Sequence, residues 1–246
     1  MIISIITALI ALCALLWFLG NYNIWRPVVP SDRPRVLMYH SISNDVSDLA
    51  VSVSKFEQQL KWLKARGYRF VTVSELFEMG AQSKVVALTF DDGFEDNYTN
   101  MFPVLQRYNA KASIYLAPDI SSIDKLTDEQ VKIMQASGLC EFGAHTMSHV
   151  NLSHLDDEQA KWEIEQSKTT VENLTQEKCR TFAYPFGRYT GRTVELVKAA
   201  GFDSAVTVKK GIEHVSDPLQ MKRISILGKT NIVQFYIAIT RGRYRV

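Results

Sequence analysis

The chain has 246 residues, of which 46% are hydrophobic and 22% charged, so it is expected to be globular with a large core and not disordered. Its 28 basic and 26 acidic residues give a net charge of +2, so nucleic acid is not an expected partner. Cys13, Cys140 and Cys179 are too few and too scattered for a disulfide framework or a thiolate zinc site, although a single Cys140–Cys179 bridge stays an alternative to two buried thiols.

The chain begins with an apolar segment, MIISIITALIALCALLWFL, that contains no charged residue. As a helix this segment would span about 28 Å, close to the hydrocarbon thickness of a bilayer. Bulky residues follow it where a cleaved signal peptide would have small ones, so we predict an uncleaved transmembrane anchor over residues 1–20. Trp17, Tyr22 and Trp25 are candidates for contact with the membrane interface.

A proline- and arginine-rich stretch follows the apolar segment and predicts an extended linker over residues 21–35, with a single domain over residues 36–246. No Lys or Arg precedes the apolar segment, whereas Arg26, Arg33 and Arg35 follow it. Taken alone, this charge difference predicts that the domain faces the cytoplasm.

From residue 36 onward, apolar segments typical of buried strands alternate with amphipathic segments typical of helices. The predicted strands are VLMYH, RFVTV, KVVALTF, ASIYLAP, CEFGAH, TFAYP and DSAVTV. The predicted helices include SKFEQQLKWLKARGY, with Ser54 as its N-cap and Gly67 as its stop. Apolar strands that alternate with helices predict a parallel α/β sheet, either an open doubly wound sheet or a barrel.

Polar side chains follow several of the predicted strands. His40 closes the first strand, Asp91 and Asp92 follow KVVALTF, and His145 follows CEFGA. The carboxyl ends of parallel strands meet on one face of either architecture, and catalytic groups lie on that face. These side chains are therefore expected to converge on one site.

The segment HTMSH places His145 and His149 four residues apart, a spacing that a helical turn or a compact loop can direct at a single ion. With one carboxylate of the Asp91–Asp92 pair they form a three-ligand set that leaves positions open for water and substrate. The second carboxylate can then accept a proton from water. For the FDDG segment on its own, an ordinary Asp-Gly turn is the alternative.

The segments TFDDG, HTMSH and FAYPFG, in this order, resemble the first three motifs of the polysaccharide deacetylase (NodB-homology) family, over roughly residues 36–228. The resemblance implies a distorted (β/α) barrel and a hydrolase that removes N-acetyl or O-acetyl groups from sugars. It also implies that Asp91 is the catalytic base and that Asp92, His145 and His149 bind Zn²⁺ or another divalent ion.

The segments VLMYHSI and FEQQLKWLKARGYRFVTVSEL further resemble a subgroup that deacetylates poly-N-acetylglucosamine and has circularly permuted motifs. In that subgroup the catalytic histidine lies near the start of the domain, which implies that His40 is the general acid. The surroundings of His214 do not resemble the late histidine motif of the unpermuted members, and this supports His40.

One position departs from the family pattern, because Ala183 stands where many members have an arginine that steadies the catalytic carboxylate. Arg223 is the candidate replacement and Arg180 the second choice, the alternative for both being an ordinary surface or linker charge. The YPFG motif directly after Ala183 suggests a wall of a substrate-binding groove that comprises Tyr184, Pro185 and Phe186, in which Tyr184 and Phe186 stack on a sugar ring. A simple turn explains this motif equally well.

These interpretations predict a membrane-anchored, zinc-dependent deacetylase of an N-acetylated polysaccharide that contains N-acetylglucosamine. The family resemblance favours a domain on the periplasmic or extracellular side of the membrane. This is opposite to the cytoplasmic orientation that the arginines after the apolar segment predict. Two alternatives stay open: a deacetylase or deformylase of a lipid-linked or small amidated sugar, and an inactive relative that only binds carbohydrate.

Overall fold

Eight strands form one parallel sheet in the computed structural model, which describes residues 2–79, 82–214 and 216–244. The pairing order β1-β8-β7-β6-β5-β4-β3 is closed by the pairing of β1 with β3, so seven strands form a barrel and β2 pairs with the first half of β3. This arrangement confirms the predicted α/β barrel. The strands are β1 (Arg35–Tyr39), β2 (Arg69–Val71), β3 (Val85–Phe90), β4 (Ala112–Leu116), β5 (Cys140–Ala144), β6 (Thr181–Ala183), β7 (Ser204–Lys210) and β8 (Met221–Ser225).

Helices follow or separate these strands, and a π-helical turn at Asn97–Met101 leads into the fourth of them. The N-cap of the second helix is Ser52, whose hydroxyl accepts a hydrogen bond from the Lys55 N–H, so the cap lies two residues before the predicted cap at Ser54. The helices are α1 (Ile2–Asn21), α2 (Val53–Ala65), α3 (Val73–Met79), α4 (Phe102–Tyr108), α5 (Asp128–Ala136), α6 (Asp157–Thr175), α7 (Gly191–Ala199) and α8 (Ile232–Arg241).

The barrel strands are buried because the parallel sheet has helices outside it and side chains inside it. Every residue of β1, β3, β4 and β6 is buried, as their continuous apolar runs predict. Cys140 and Cys179 are both buried free thiols and not a disulfide, and burial raises the pKa of each thiol to about 12.

The strand β8 has no counterpart among the predicted strands. Its sequence, MKRIS, carries two basic residues and lacks the apolar run that marks the other strands. It pairs with β7 on one side and β1 on the other, so the barrel closes through it. Its Arg223 side chain is fully buried, so Arg223 is not an ordinary surface or linker charge.

The helix α1 is long and apolar enough to span a membrane and buries none of its residues. The segment after it lies along α8: the Val29 N–H donates to the Thr240 carbonyl oxygen at 2.8 Å, and the Arg35 Nε–H donates to that of Ile239 at 3.0 Å. Residues 21–35 are thus tied to the domain by hydrogen bonds, while the domain boundaries themselves stay a prediction.

Candidate active site

The pairing of β1 with β3 brings the ends of these two strands together. Tyr39 is in register with Phe90, and the Asp91 N–H donates to the Tyr39 carbonyl oxygen at 3.1 Å, so the ladder continues past both strands. Asp91 therefore emerges from the barrel next to His40, as expected for neighbouring parallel strands.

Asp91 forms a buried ion pair with Arg223 on β8. The Arg223 Nη1–H and Nη2–H donate to Oδ1 and Oδ2 of Asp91 at 2.6 and 2.7 Å, the two-pronged geometry that a guanidinium makes with a carboxylate. The Thr207 carbonyl oxygen and the Thr89 hydroxyl accept the other hydrogen bonds of the guanidinium, at 2.8 and 3.0 Å. Arg223 thus occupies the place beside Asp91 that Ala183 leaves without a cation.

This ion pair determines the charge of Asp91. Burial alone would raise the pKa of its carboxyl group, but the Arg223 charge and hydrogen bonds, with smaller contributions from His145 and His40, hold the pKa below its usual range. Asp91 is therefore an ionised carboxylate at neutral pH, fixed in orientation and able to accept a hydrogen bond or a proton.

The neighbouring carboxylate, Asp92, faces two histidines. Its Oδ1 lies 3.4 Å from Nε2 of His145 and 3.2 Å from Nε2 of His149, and one potential ligand atom from each residue lies within 4.8 Å of the others. A carboxylate and two imidazoles are the donor set of catalytic zinc sites that keep positions open. These three side chains fit a divalent metal ion.

A backbone contact orients the first histidine toward this cluster. Nδ1 of His145 lies 2.7 Å from the Ala183 carbonyl oxygen, so Nδ1 donates a hydrogen bond to it and Nε2 faces Asp92. In the metal-free protein, burial alone would lower the pKa of His145, but its hydrogen bond to Asp92 and the two carboxylate charges raise that pKa. Metal and proton would therefore compete for Nε2.

The candidate ligands depend on an unusual backbone. Asp92 and His149 have φ of 74° and 51°, left-handed values that residues other than glycine adopt at a cost. Gly93 also has a positive φ, 75°, which favours glycine at this turn, and a Cβ there would lie 2.7 Å from Cδ2 of Leu116, so the Leu116 side chain would have to shift. The HTMSH segment is a compact loop, the second of the two geometries that its spacing allows.

A buried carboxylate on α6 supports this loop. Oε2 of Glu163 accepts hydrogen bonds from the Met147 N–H at 2.8 Å and the Ser148 N–H at 2.9 Å, between the two histidines. The sequence analysis did not single out Glu163. A signal for it exists, because Glu163 interrupts the apolar stripe of Ala160, Ile164 and Val171 that α6 buries.

The charges of Asp91 and Asp92 also affect His40. Burial lowers the pKa of its imidazole, opposed by the negative charges of Asp91 and Asp92. The His40 carbonyl oxygen accepts a hydrogen bond from Nδ2 of Asn97 at 2.9 Å, which fixes the backbone at the end of β1.

The predicted substrate wall is only partly on the surface. Tyr184 is fully buried and its ring stacks on Tyr189 with 4.4 Å between centroids, so it cannot stack on a sugar, and Pro185 is buried beside it. Phe186 is 57% exposed, has φ of 56°, and its ring centroid lies 4.5 Å from that of His149. The prediction of a stacking Tyr184 is therefore wrong, because the chain turns after Pro185 and presents Phe186.

Arg180, the second choice for the cation, lies elsewhere. Its Nε–H donates to Oδ2 of Asp203 at 2.6 Å, and its guanidinium also pairs with Glu78 on α3. Arg180 and Asp203 thus form an ion-pair network of their own, separate from the Asp91–Arg223 pair.

Comparison with known proteins agrees with this geometry. The family model described as polysaccharide deacetylase matches residues 79–205. The Bacillus subtilis protein YxkH is 36% identical over 182 residues, 72% of this chain, and the match spans 64% of that protein's length. The poly-beta-1,6-N-acetyl-D-glucosamine N-deacetylase of Staphylococcus aureus is 26% identical over 211 residues, 77% of this chain and 72% of that enzyme.

A solved structure shows the same fold. The Streptococcus pyogenes deacetylase PplD, determined in complex with acetate, superposes with a TM-score of 0.76 at 29% identity, covering 81% of this chain and 94% of that one. The family match covers half of the chain, and the B. subtilis relative exceeds 30% identity over more than two thirds of it. The chain therefore belongs to the polysaccharide deacetylase family.

Proposed function

We propose that this protein is a metal-dependent hydrolase that removes N-acetyl groups from a polysaccharide containing N-acetylglucosamine and releases acetate. The observation that carries this proposal is that two adjacent carboxylates at the end of β3 have different surroundings. Asp91 is paired with a buried cation, whereas Asp92 faces two histidines. Two acids in such different environments suit two different roles.

In the proposed reaction, Asp91 accepts the proton of the water molecule that attacks the acetamide carbonyl carbon. Arg223 holds the Asp91 carboxylate ionised and oriented through both hydrogen bonds. As the carbon–nitrogen bond breaks, His40 protonates the departing nitrogen, which leaves as a free amine while acetate forms. Because burial lowers the pKa of His40, its protonated form is a stronger acid than that of a free histidine.

Asp92, His145 and His149 would hold the metal ion, and zinc suits this set of one carboxylate and two imidazoles. When bound, the ion would supply Lewis-acid polarisation of the carbonyl group and would lower the pKa of water. The Ala183 carbonyl oxygen and Glu163 fix the orientation of the histidine ligands and of the loop between them.

The proposed substrate class draws on the S. aureus relative, whose name states that it deacetylates poly-beta-1,6-N-acetyl-D-glucosamine. Phe186 supports a sugar at the same place, because an exposed aromatic ring beside His149 offers an apolar face for a pyranose ring.

The test is acetate release from β-1,6-linked N-acetylglucosamine oligomers by the full-length protein in detergent. We expect release that stops when the metal is chelated and returns when zinc is added. Acetate or formate release from lipid-linked or small amidated sugars, without release from the oligomers, would favour the alternative substrate. Binding of oligomers with no release from any substrate would favour the inactive relative, which the ion-paired Asp91 argues against.

We further propose that α1 anchors the enzyme in the membrane with its domain on the outer face, where polymers lie. Arg35 has a structural reason to be arginine, because its buried guanidinium bonds to carbonyl oxygens of the domain and of the preceding segment. Its presence after α1 is thus explained without reference to membrane orientation. A reporter fused to the C-terminus and active on one side of the membrane tests this orientation.

A further inference from the structure

A second exposed aromatic residue lies beside the segment that follows the HTMSH loop. Trp162 on α6 is 52% exposed and lines an open cavity of about 400 Å³. The other residues around this cavity are Val150, Leu155, Glu158, Gln159 and Glu163.

This cavity is joined to the candidate metal ligands by two direct links. Val150 follows His149 in the chain, so one wall of the cavity continues the ligand loop. Glu163, the residue after Trp162, accepts the two N–H groups of that loop and so fixes α6 against it. Trp162 therefore lies on a helix that is tied by these hydrogen bonds to the loop carrying His149.

The residues around the cavity suit a sugar unit. The indole offers a flat apolar face to the C–H groups of a pyranose ring, and Glu158 and Gln159 offer exposed acceptors and donors for its hydroxyl and amide groups. Glu158 and Glu163 also make an anionic lipid surface an unsuitable occupant. The continuity with the ligand loop favours a strand of the substrate itself.

We propose that Trp162 forms a distal subsite for the N-acetylated polymer. One sugar unit of the polymer lies at His149 and Phe186, and a further unit of the same chain binds at Trp162. The proposal rests on the proposed function and deepens it, because it makes the enzyme prefer long chains over short ones. Trp162 takes no part in bond breaking and acts on substrate affinity.

Kinetics on oligomers of two lengths test this subsite. In the full-length protein, Trp162→Ala should lower kcat/KM for an N-acetylglucosamine hexamer by about tenfold, mainly through KM, because one lost stacking contact is worth roughly that factor. The rate on the dimer should stay unchanged, and Trp162→Phe should keep most of the hexamer preference. Phe77→Ala, at a 39% exposed aromatic residue on α3, is the matched control and should change neither rate.

An equal loss on both oligomers, or no loss on the hexamer, would overturn the distal subsite. If the wild-type protein releases acetate from neither oligomer, the proposed function fails, and calorimetric binding of the hexamer then tests the subsite alone. In that experiment, affinity that Trp162→Ala leaves unchanged counts against the subsite, and affinity about tenfold weaker supports it.

Discussion

Two buried arginines lie on neighbouring strands, one hydrogen-bonded to neutral backbone groups and the other to a charged carboxylate. Arg35 on β1 donates to carbonyl oxygens, those of Ile239 at 3.0 Å and Val29 at 2.9 Å among them, whereas Arg223 on β8 donates to both carboxylate oxygens of Asp91. Burial lowers the pKa of Arg35, opposed by smaller contributions from Tyr68 and the exposed Asp32, and in the described part of the chain its hydrogen-bond partners are backbone carbonyl oxygens. Both buried arginines stabilise the fold through their hydrogen bonds, but only Arg223, whose partner is a charged carboxylate, can also change the pKa of a candidate catalytic group.

Among variants of these two arginines, the largest effect is expected for Arg223→Met. Without the guanidinium, burial would raise the pKa of Asp91, so the acid limb of the pH–rate profile should move to higher pH. The change leaves the proposed general base without its charge partner and its fixed orientation, and because a positioned base contributes about a hundred- to ten-thousandfold, we expect kcat/KM for acetate release to fall about a thousandfold at neutral pH. Steady-state kinetics between pH 5 and 9, after circular dichroism has verified folding, measure both effects.

A double variant controls for general damage. In Arg223→Met with Asp91→Asn, no charge is left unpaired, so the free energy of unfolding should recover part of what Arg223→Met loses. A double variant less stable than the sum of the two single losses would show that Arg223 does not act through Asp91.

Arg35→Met is expected to have the next largest effect, on stability alone. It leaves carbonyl oxygens of the 29–33 segment and of α8 without their donor, which should lower the free energy of unfolding by about 3 kcal/mol. The folded fraction should keep the wild-type kcat/KM and pH profile, because Arg35 contacts no group of the candidate active site among its hydrogen-bond partners. Denaturant unfolding and acetate release at low temperature measure these quantities, and a shifted pH profile would show that Arg35 also acts on the active site.

Arg223→Lys should be milder than Arg223→Met. The lysine keeps the positive charge that ionises Asp91 but loses the two parallel hydrogen bonds that orient it. We expect kcat/KM to fall about thirtyfold, with the acid limb of the pH profile near its wild-type position. The same pH series checks this, and a profile as displaced as that of Arg223→Met would mean that geometry, and not charge, sets the pKa of Asp91.

The smallest effect is expected at Glu163, a buried charge that, like Arg35, is partnered by backbone groups. Glu163→Gln weakens the acceptor for the Met147 and Ser148 N–H groups and should lower zinc affinity about tenfold. Competition with a fluorescent chelator measures that affinity. Glu165→Gln, on the same helix beside Lys161, is the control and should leave zinc affinity unchanged.

Much of the barrel could be predicted from the sequence, because strands buried on both faces leave unbroken apolar runs such as β3 and β4. The strand β8 was missed because its buried polar side chain, Arg223, is stabilised by a residue 132 positions away in the chain. Local pattern carries no information on such a partner.

The candidate site divides in the same way. Asp92, His145 and His149 were predictable because two short motifs carry all three residues. Glu163 interrupts the apolar stripe of α6, but residue types do not identify its partners, because these are two backbone N–H groups; the burial of Tyr184 depends on how the chain turns at Phe186. These features are set by tertiary packing, which the sequence pattern alone does not encode.

The most direct test of the division of labour between the two adjacent carboxylates measures zinc content and acetate release in Asp91→Asn and Asp92→Asn, side by side. If Asp91 is the base and Asp92 a ligand, Asp91→Asn should keep its zinc and release no acetate, whereas Asp92→Asn should lose both. Acetate release by Asp91→Asn at the wild-type rate, or full zinc content in Asp92→Asn, would contradict the account.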